Sequence, residues 1–267
     1  MRPLESLAAD LLEGARRELR LTPKPGLVDL EDSGSHPDLS LEVMERSLEV
    51  LGGALAELAG SLERGEPLLA QVALGQAAEA RMLERCGTNT HKGALFLGGL
   101  LLAARWRAGD AGTEALRPAV VEVARELLAG RPLPESHGEE VRRRFHVGGI
   151  VREAMGGLPS VFDVALPAFD AARARGLEGD GPTFAMLARL MQTVEDTTAL
   201  HRCGEAGLEW LRRDGAELEA LLARGGDHVG FLRARNAAWR ELRLTMGGVA
   251  DLLGVALGLL AHQGRLV

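Results

Sequence analysis

The segment from residue 41 to residue 62 reads LEVMERSLEVLGGALAELAGSL, and its spacing decides the fold class. Leucine or methionine recurs every three or four residues along it, which places these side chains on one face of an α-helix. The positions predicted to face inward are Leu41, Met44, Leu48, Leu51, Leu55 and Leu58. A long helix with one apolar face is stable only when that face packs against other elements.

The same helical spacing continues on both sides of this segment. A first helix carries Leu4, Leu7, Leu11, Ala15 and Leu19 on one stripe. Further helices are predicted at residues 68–83, 93–107, 113–128, 136–149, 160–175, 182–200, 204–213, 215–224, 227–244 and 246–263. No alternating run of β-branched residues predicts a strand. We therefore predict one all-α domain over residues 1–267, with ten to twelve helices and an active site formed by loops and helix N-termini.

Composition limits the partners that this chain can bind. The net charge of −7 over 267 residues argues against an extended nucleic-acid groove, so an anionic ligand would need local cations and helix N-termini. Met1–Arg20 lacks a secretory signal core, and the apolar run Ala94–Ala104 is shorter than the ~20 residues of a membrane span. Neither Cys86 nor Cys203 lies in a CxxC pair. We expect reduced thiols in a cytoplasmic protein that binds neither nucleic acid nor membrane.

Lysine is almost absent from this chain. Of the 31 Lys and Arg residues only two are lysine, Lys24 and Lys92, and each lies in a motif framed by glycine or proline. Lysine is a compact point charge and a common phosphate ligand, whereas arginine is a planar fork. The two lysines are therefore predicted to have a chemical role, although survival by chance remains the alternative.

The first lysine lies in residues 22–38, TPKPGLVDLEDSGSHPD. Two prolines bracket Lys24 and stiffen the backbone that presents it. Four carboxylates and a histidine follow within ten residues, and such a group could hold Mg²⁺ or supply a general base. These residues are Asp29, Glu31, Asp32, His36 and Asp38. The alternative is a solvated acidic turn.

The second lysine lies in residues 87–93, GTNTHKG, directly before an apolar helix. Thr88, Asn89 and Thr90 are residue types that cap helix N-termini. A helix start beside His91 and Lys92 predicts a phosphate site, because free N–H groups and the helix dipole favour anions. For the caps alone, an ordinary capped helix is the simpler interpretation.

Weaker motifs lie further along the chain. In residues 195–204, EDTTALHRCG, Asp196 and His201 could meet only if the helix breaks near Thr197, and a capped helix end is an equally good interpretation. The glycine pair Gly247 and Gly248 permits close backbone approach, whereas Asp251 alone is weak support for a site. The arginines at 142–144 are predicted to form a solvated face, because they have i,i+4 partners in Glu139 and Glu140.

Taken together, these motifs resemble those of the triphosphoribosyl-dephospho-CoA synthase family. The matching segments, in the family's order, are TPKPGLVD at 22–29, GSHPD at 34–38, GTNTHKG at 87–93, GLPSV at 157–161, DTTALHR at 196–202 and GGVADLL at 247–253. Three places depart from the family's usual pattern, at Thr198, at Cys203 and at Thr245–Met246. The resemblance spans nearly the whole chain, and the departures leave the acceptor alcohol open.

The resemblance implies an unusual transfer reaction. ATP and 3′-dephospho-CoA would give 2′-(5″-triphosphoribosyl)-3′-dephospho-CoA and adenine, the prosthetic-group precursor of citrate lyase or malonate decarboxylase. The N-glycosidic bond of ATP would break while the triphosphate stays on the ribose, with Mg²⁺ as the expected cofactor. A homodimer is left open.

Each candidate residue then receives a hypothetical role. Triphosphate would be bound by Lys24, Thr88, Asn89, Thr90, Lys92, Gly93, Gly247 and Gly248. Asp29, Glu31 and Asp38 would hold Mg²⁺ or stabilise the ribose cation. The catalytic candidates are Asp29, His36, His91, Asp196 and His201.

Three other functions compete with this one. A related helical transferase could use a different alcohol acceptor, and a non-catalytic helical module could bind a nucleotide. The number of ionisable groups speaks against plain binding. A helical Mg²⁺-dependent pyrophosphohydrolase would need a Glu-x-x-Glu ladder on its helices, whereas the acids here cluster in a loop.

Overall fold

Twelve α-helices and a short π-helix form the part of the chain that the computed structural model describes, namely residues 3–88, 90–109, 112–129 and 137–266. The helices are α1 (Pro3–Arg20), α2 (Leu41–Glu63), α3 (Leu68–Cys86), α4 (Lys92–Ala108), α5 (Thr113–Leu128), α6 (His137–Phe145), α7 (Gly149–Met155), α8 (Leu166–Ala174), α9 (Gly181–Thr193), α10 (Thr197–Arg224), α11 (His228–Leu242) and α12 (Gly247–His262). The π-helix spans Ser160–Ala165. The predicted all-α class is confirmed.

The antiparallel pair α1 and α12 is packed closely at the centre of the fold. A Cβ built on Gly14 would lie 2.2 Å from both the carbonyl oxygen of Gly254 and the nitrogen of Gly258, so only glycine allows this approach. The same pairing places Glu18, near the end of α1, beside the first half of α12. The apolar stripe predicted for α1 is buried in the core.

The chain breaks at different places from those predicted between residues 182 and 224. The predicted helix at 182–200 is two helices, because Asp196 caps α10 by accepting the N–H groups of Thr198 and Ala199. The predicted helices at 204–213 and 215–224 belong to one element, α10, which is kinked instead at Gly204 (φ 62°, ψ −157°). The start of α10 therefore lies at its polar cap, and Gly204 absorbs the bend.

The predicted helix at 136–149 also differs from the structure. Its capping residue Ser136 lies outside the described residues, and α6 ends at Phe145, before the expected Gly148–Gly149. A short helix that was not predicted, α7, follows directly. Within the described residues, no helix combines the length and apolarity needed to cross a lipid bilayer. Cys86 and Cys203 are free thiols.

Candidate active site

A cavity of about 1540 Å³ lies where the start of α4, the start of α12 and the end of α1 meet. Further walls come from α2, α3, the 22–38 loop, the end of α5, α6, α7, the π-helix and the start of α10. Pockets for one small molecule commonly have volumes of roughly 300–1,000 Å³. The cavity therefore has room for two substrates side by side.

The first lysine is buried close to this cavity and paired with an acid that the motifs did not include. Lys24 is 1% exposed, and its Nζ lies 2.5 Å from Oε1 of Glu18 and also donates to the backbone carbonyl of Glu18. Among the described residues that line the cavity is Glu18, whereas Lys24 does not line it. This geometry does not support the predicted direct contact between Lys24 and phosphate, because the ammonium is enclosed by protein.

A carboxyl group on α12 faces the cavity next to this pair. Asp251 is partly buried and accepts the backbone N–H of Ala94 in the first turn of α4. A Cβ on Gly93 would lie 1.9 Å from Oδ2 of Asp251, so glycine is needed for α4 to approach this close. Burial, reinforced by the negative charges of Glu18 and Asp196, raises the pKa of Asp251 well above its usual value. The structure thus gives Gly93 a packing role and brings Asp251 into the site.

The histidine at the start of α4 lies in the same wall. His91 is 5% exposed, and its Nδ1 is 2.7 Å from Oγ of Ser47, which also accepts a hydrogen bond from Thr90. Its buried Nε2 has no hydrogen-bond partner among the described residues. Burial and the positive charge of Lys24 lower the pKa of His91 from 6.5 to about 4, so the imidazole is neutral at pH 7. A buried neutral nitrogen of this kind suits a proton carrier or a hydrogen bond to substrate.

Lys92 is placed where a ligand can reach it. It lines the cavity with 41% of its side chain exposed, and its Nζ is 2.8 Å from Oε2 of Glu79 on α3. Thr88 and Thr90 also line the cavity, whereas Asn89 lies outside the described residues. The first N–H groups of an α-helix have no partner within that helix. The N-cap of α4 is His91, which makes no side-chain capping hydrogen bond, so the predicted capping by Thr88 or Thr90 is wrong. The start of α4 still offers a helix N-terminus, with Lys92 as its cation.

Asp196 holds two helix starts together instead of facing the cavity. It is fully buried, and its Oδ1 accepts the N–H groups of Thr198 and Ala199 and the hydroxyl of Thr198. Its Oδ2 accepts the N–H of Val249 in α12 at 2.9 Å. Burial raises the pKa of Asp196. His201, the other catalytic candidate of this motif, is exposed and does not line the cavity, so the structure gives no support for the predicted pair.

The glycine pair of α12 lines the cavity, but its start is already capped. The N–H of Gly247 donates to Oγ1 of Thr198 at 2.8 Å, and a Cβ on Gly248 would lie 3.1 Å from Oδ2 of Asp196. These contacts use polar groups of α10, so they favour a packing role for Gly247 and Gly248 over phosphate binding.

The acidic residues of the 22–38 loop mostly anchor the loop. Both oxygens of Asp29 accept backbone N–H groups, from Lys24 at 2.8 Å and from Glu31 and Asp32. Glu31 is paired with Arg233 on α11, which lowers its pKa. Asp38 is exposed. These contacts do not support Asp29 and Glu31 as free ligands of a metal.

Helix α11 holds the 22–38 loop in place through hydrogen bonds, and its Asn236 was not among the predicted residues. Oδ1 of Asn236 accepts the N–H of Gly26, and its Nδ2 donates to Asp32 at 2.9 Å. Arg240 also donates to Asp32. Asn236 is one of only two asparagines in the chain, and this rarity is the signal by which the sequence could have indicated it.

His36 is the ionisable residue of the 22–38 loop that lines the cavity. Its Nε2 is 2.9 Å from Oγ1 of Thr245, and Arg202 lies 3.3 Å from its Nδ1. Burial, with the positive charge of Arg202, lowers the pKa of His36 to about 4. With both nitrogens engaged by protein, His36 is a poorer proton carrier than His91.

The candidate metal ligands do not form a metal centre. Across residues 3–88, 90–109, 112–129 and 137–266, no group of three or more His, Cys, Asp or Glu side chains is arranged to hold a metal ion. Asp29 and Glu31 are occupied as described above, and Asp38 lies on the surface. The structure does not bring the three predicted Mg²⁺ ligands together.

Two residues of the cavity wall were not among the predicted site residues. Arg142 of α6 lines the cavity, pairs with Glu139 and is partly buried, which lowers its pKa, so it is not part of a fully solvated face as predicted. Glu153 of α7 also lines the cavity, and burial raises its pKa. Both its oxygens accept hydrogen bonds from Ser160, which ties α7 to the π-helix.

Fold and site together define a class of protein. The chain is all-α and has a large cavity whose wall includes a helix start and a lysine suited to anions. The same wall carries a neutral buried imidazole and a carboxyl group of raised pKa. These are features of an enzyme that moves protons on a phosphorylated substrate. The sequence profile of the CitG family, described as ATP:dephospho-CoA triphosphoribosyl transferase, matches residues 4–266. This chain belongs to that family.

Individual relatives agree with the family. A probable 2-(5''-triphosphoribosyl)-3'-dephosphocoenzyme-A synthase of Azotobacter vinelandii is 40% identical over 96% of this chain and 92% of its own length. The 2-(5''-triphosphoribosyl)-3'-dephosphocoenzyme-A synthase of Klebsiella pneumoniae is 37% identical over 90% of this chain and 88% of its own length. No solved structure gives a significant match. The resemblance drawn from the motifs is confirmed.

Proposed function

We propose that this chain transfers the 5-triphosphoribosyl group of ATP to the 2′-hydroxyl of 3′-dephospho-CoA inside the cavity, with release of adenine. The observation that carries this assignment is the buried Nε2 of His91 at the start of α4, which has no hydrogen-bond partner within the described part of the chain and lies in the cavity wall that also holds Lys92 and Asp251. The reaction breaks the bond between adenine and ribose C1′ and joins that carbon to the acceptor oxygen. The developing ribose cation, the acceptor proton and the leaving base each need a partner.

The two substrates have different requirements that the cavity can meet. The triphosphate needs cations and N–H groups that grip it without activating phosphoryl transfer, and Lys92 at the start of α4 supplies these. The acceptor also carries phosphate groups, and Arg142 is a second cation on the cavity wall. Because the transfer is direct, both substrates must be bound together, which the volume of about 1540 Å³ allows.

We propose that Mg²⁺ binds together with ATP. Mg²⁺ is usually bound through one or two carboxylates together with substrate phosphates. Since the described residues offer no cluster of three acids, the phosphate oxygens would be its main ligands. This chain's own contribution to the triphosphate is then Lys92 and the α4 start.

The cellular setting remains part of the proposal. The free thiols suit a cytoplasmic protein, and the net charge of −7 suits small anionic substrates bound at local cations better than nucleic acid. The product would supply the acyl carrier protein of malonate decarboxylase or citrate lyase. A homodimer is compatible with the fold.

The deciding experiment measures free adenine. The protein is incubated with ATP, Mg²⁺ and dephospho-CoA, and the products are separated by chromatography. We expect one adenine for each dephospho-CoA consumed, and none when dephospho-CoA is left out. Adenine formed only with another alcohol would favour the related transferase, whereas AMP or pyrophosphate in place of adenine would contradict the proposed function.

Replacing Lys92 with methionine should weaken ATP binding. We expect the Kd for ATP to rise at least about tenfold, because a charge-assisted contact is lost and Glu79 is left unpaired beside the phosphates. Isothermal titration calorimetry measures the Kd. The matched control is Arg64→Met, which removes a cation paired with Glu66 outside the cavity and should leave the Kd unchanged. An unchanged Kd for Lys92→Met would refute the assigned contact.

A further inference from the structure

Asp251 is an acidic residue in a helix that is otherwise mostly apolar and buried, which suggests a chemical role. Helix α12 reads GGVADLLGVALGLLAH, and Asp251 is its one acidic residue. The helix is among the most buried in the fold, from Val249 to Leu260. A carboxyl group in such surroundings is costly unless it is neutral or paired.

The groups that face Asp251 come from four elements. Glu18 of α1 and Asp196 at the start of α10 are acids, and both raise its pKa. Lys24 bonds to Glu18 through its Nζ. His91 lies in the same cavity wall at the start of α4. The lysine therefore neutralises one of the acids, and burial beside the remaining negative charge favours the protonated form of the Asp251 carboxyl.

The position of Asp251 gives that proton access to a ligand. Its side chain lines the cavity, and it touches the backbone of α4 at Gly93 and Ala94, the turn that also carries Lys92. Asp251 accepts one backbone N–H, from Ala94, whereas two other carboxyls near the cavity use both oxygens in hydrogen bonds to protein. Glu153 holds Ser160, and Asp196 holds the starts of α10 and α12.

We propose that Asp251 is the catalytic acid that protonates the departing adenine, with Glu18 and Lys24 as positioning residues. The proposal rests on the proposed function, since it names the proton donor for that reaction. The raised pKa of Asp251 agrees with this placement, because a general acid must hold its proton near pH 7.

The step balances without an external reagent. The bond between ribose C1′ and N9 of adenine breaks, its electron pair goes to the adenine ring, and the proton of Asp251 goes to a ring nitrogen. The acceptor 2′-oxygen forms the new bond to C1′ and releases its own proton. That proton replaces the one donated by Asp251, so the protein ends the cycle unchanged.

The test is Asp251→Asn, which keeps the size of the side chain and removes the transferable proton. We expect the rate of adenine release to fall roughly 10²- to 10⁴-fold, with little change in the Kd for ATP. The wild-type rate should fall as pH rises through the raised pKa of Asp251, because the protonated form is required. The variant should lack this alkaline limb.

A modified substrate separates acid catalysis from a structural effect. An ATP analogue methylated at N7 carries a positive charge on its base, so the base leaves neutral without taking up a proton. Asp251→Asn should transfer the triphosphoribosyl group from this analogue at close to the wild-type rate, after the spontaneous loss of base is subtracted. The control is Asp170→Asn, an exposed carboxylate paired with Arg265 away from the cavity, which should match wild type on both substrates.

Two results would overturn the assignment. One is a variant rate with ATP within about tenfold of wild type, since a general acid contributes more than this. The other is an equal loss with ATP and with the methylated analogue, because a positioning defect would affect both. If wild-type protein releases no adenine from ATP, the proposed function fails and this inference falls with it.

Discussion

Replacing Lys24 with methionine is expected to lower the free energy of unfolding by about 3–5 kcal/mol, because the change leaves the carboxylate of Glu18 buried without its partner. Lys24 is 1% exposed, so water cannot compensate for the missing ammonium. Urea denaturation followed by circular dichroism measures the loss. The double variant Lys24→Met with Glu18→Gln should recover most of it, since it removes both charges.

The other lysine of the chain is the matched control for this prediction. Lys92 is 41% exposed and its ion pair with Glu79 is open to solvent, so Lys92→Met should cost no more than about 1 kcal/mol. Equal losses for the two variants would contradict the buried pairing of Lys24. The two lysines therefore do different work, whereas the sequence had suggested that both bind the triphosphate.

Replacing His91 with asparagine is expected to lower kcat roughly 10²- to 10⁴-fold without destabilising the fold. The asparagine amide can keep the contact that Nδ1 makes with Ser47, but it has no atom at the position of Nε2. In the free protein that nitrogen is buried and finds no partner in residues 3–88, 90–109, 112–129 and 137–266, which costs about 1–3 kcal/mol. Steady-state adenine release and thermal denaturation measure the two effects, and a large loss of both would show a structural role instead.

The same variant should change how stability depends on pH. The pKa of His91 is about 4 in the folded protein against 6.5 for an ordinary histidine. The unfolded chain therefore binds more protons between these values, so His91 contributes stability above pH 6.5 that is lost as pH falls toward 4. His91→Asn should flatten this part of the curve, although His36, with a similarly low pKa, keeps some of the slope. An unchanged curve would contradict the burial of a neutral His91.

Sequence spacing was enough to predict the helical fold, since the apolar stripe of α1 and the positions of α2 from Leu48 onward are buried as expected, whereas Leu41 and Met44 are only partly buried. It could not place the breaks within 182–224. The cap at Asp196 and the bend at Gly204 depend on how α10 meets α12, and helical periodicity carries no information about that contact.

The site was predicted in part. The motif at 87–93 does place His91 and Lys92 on the cavity wall, because the start of a helix is a local feature, although His91 and not a threonine is the N-cap of α4. The acids of the 22–38 loop were predicted to bind Mg²⁺. Instead, Asp29 accepts hydrogen bonds from the backbone of the loop, and Glu31 pairs with Arg233 of α11. Residues more than 200 positions apart meet there, and no local pattern predicts such pairs.

Glu18 and Asp251 show the two ways in which a site residue escapes prediction. Glu18 lies among the charged residues of α1, so nothing in the local sequence sets it apart. Asp251 does have a signal, since it is a single acid in an otherwise apolar helix. Burial gives this carboxyl a raised pKa, which suits it to donate a proton.

The three departures from the family's usual motifs lie at one junction. Thr198 bonds to Gly247, Cys203 donates to the carbonyl of Leu242, and Thr245 contacts His36. All three therefore connect α10 or the 22–38 loop with the end of α11 and the start of α12. Of these three residues only Thr198 lines the cavity.

We expect ATP to bind at the start of α4, in the cavity that Asp251 lines. Hydrogen–deuterium exchange with mass spectrometry tests it most directly, comparing the free protein with the protein saturated by MgATP. We predict slower exchange in peptides that cover residues 90–96, since their amides would contact or be covered by the triphosphate. Unchanged exchange at 90–96, with protection confined to another surface such as the 29–38 loop, would contradict the account.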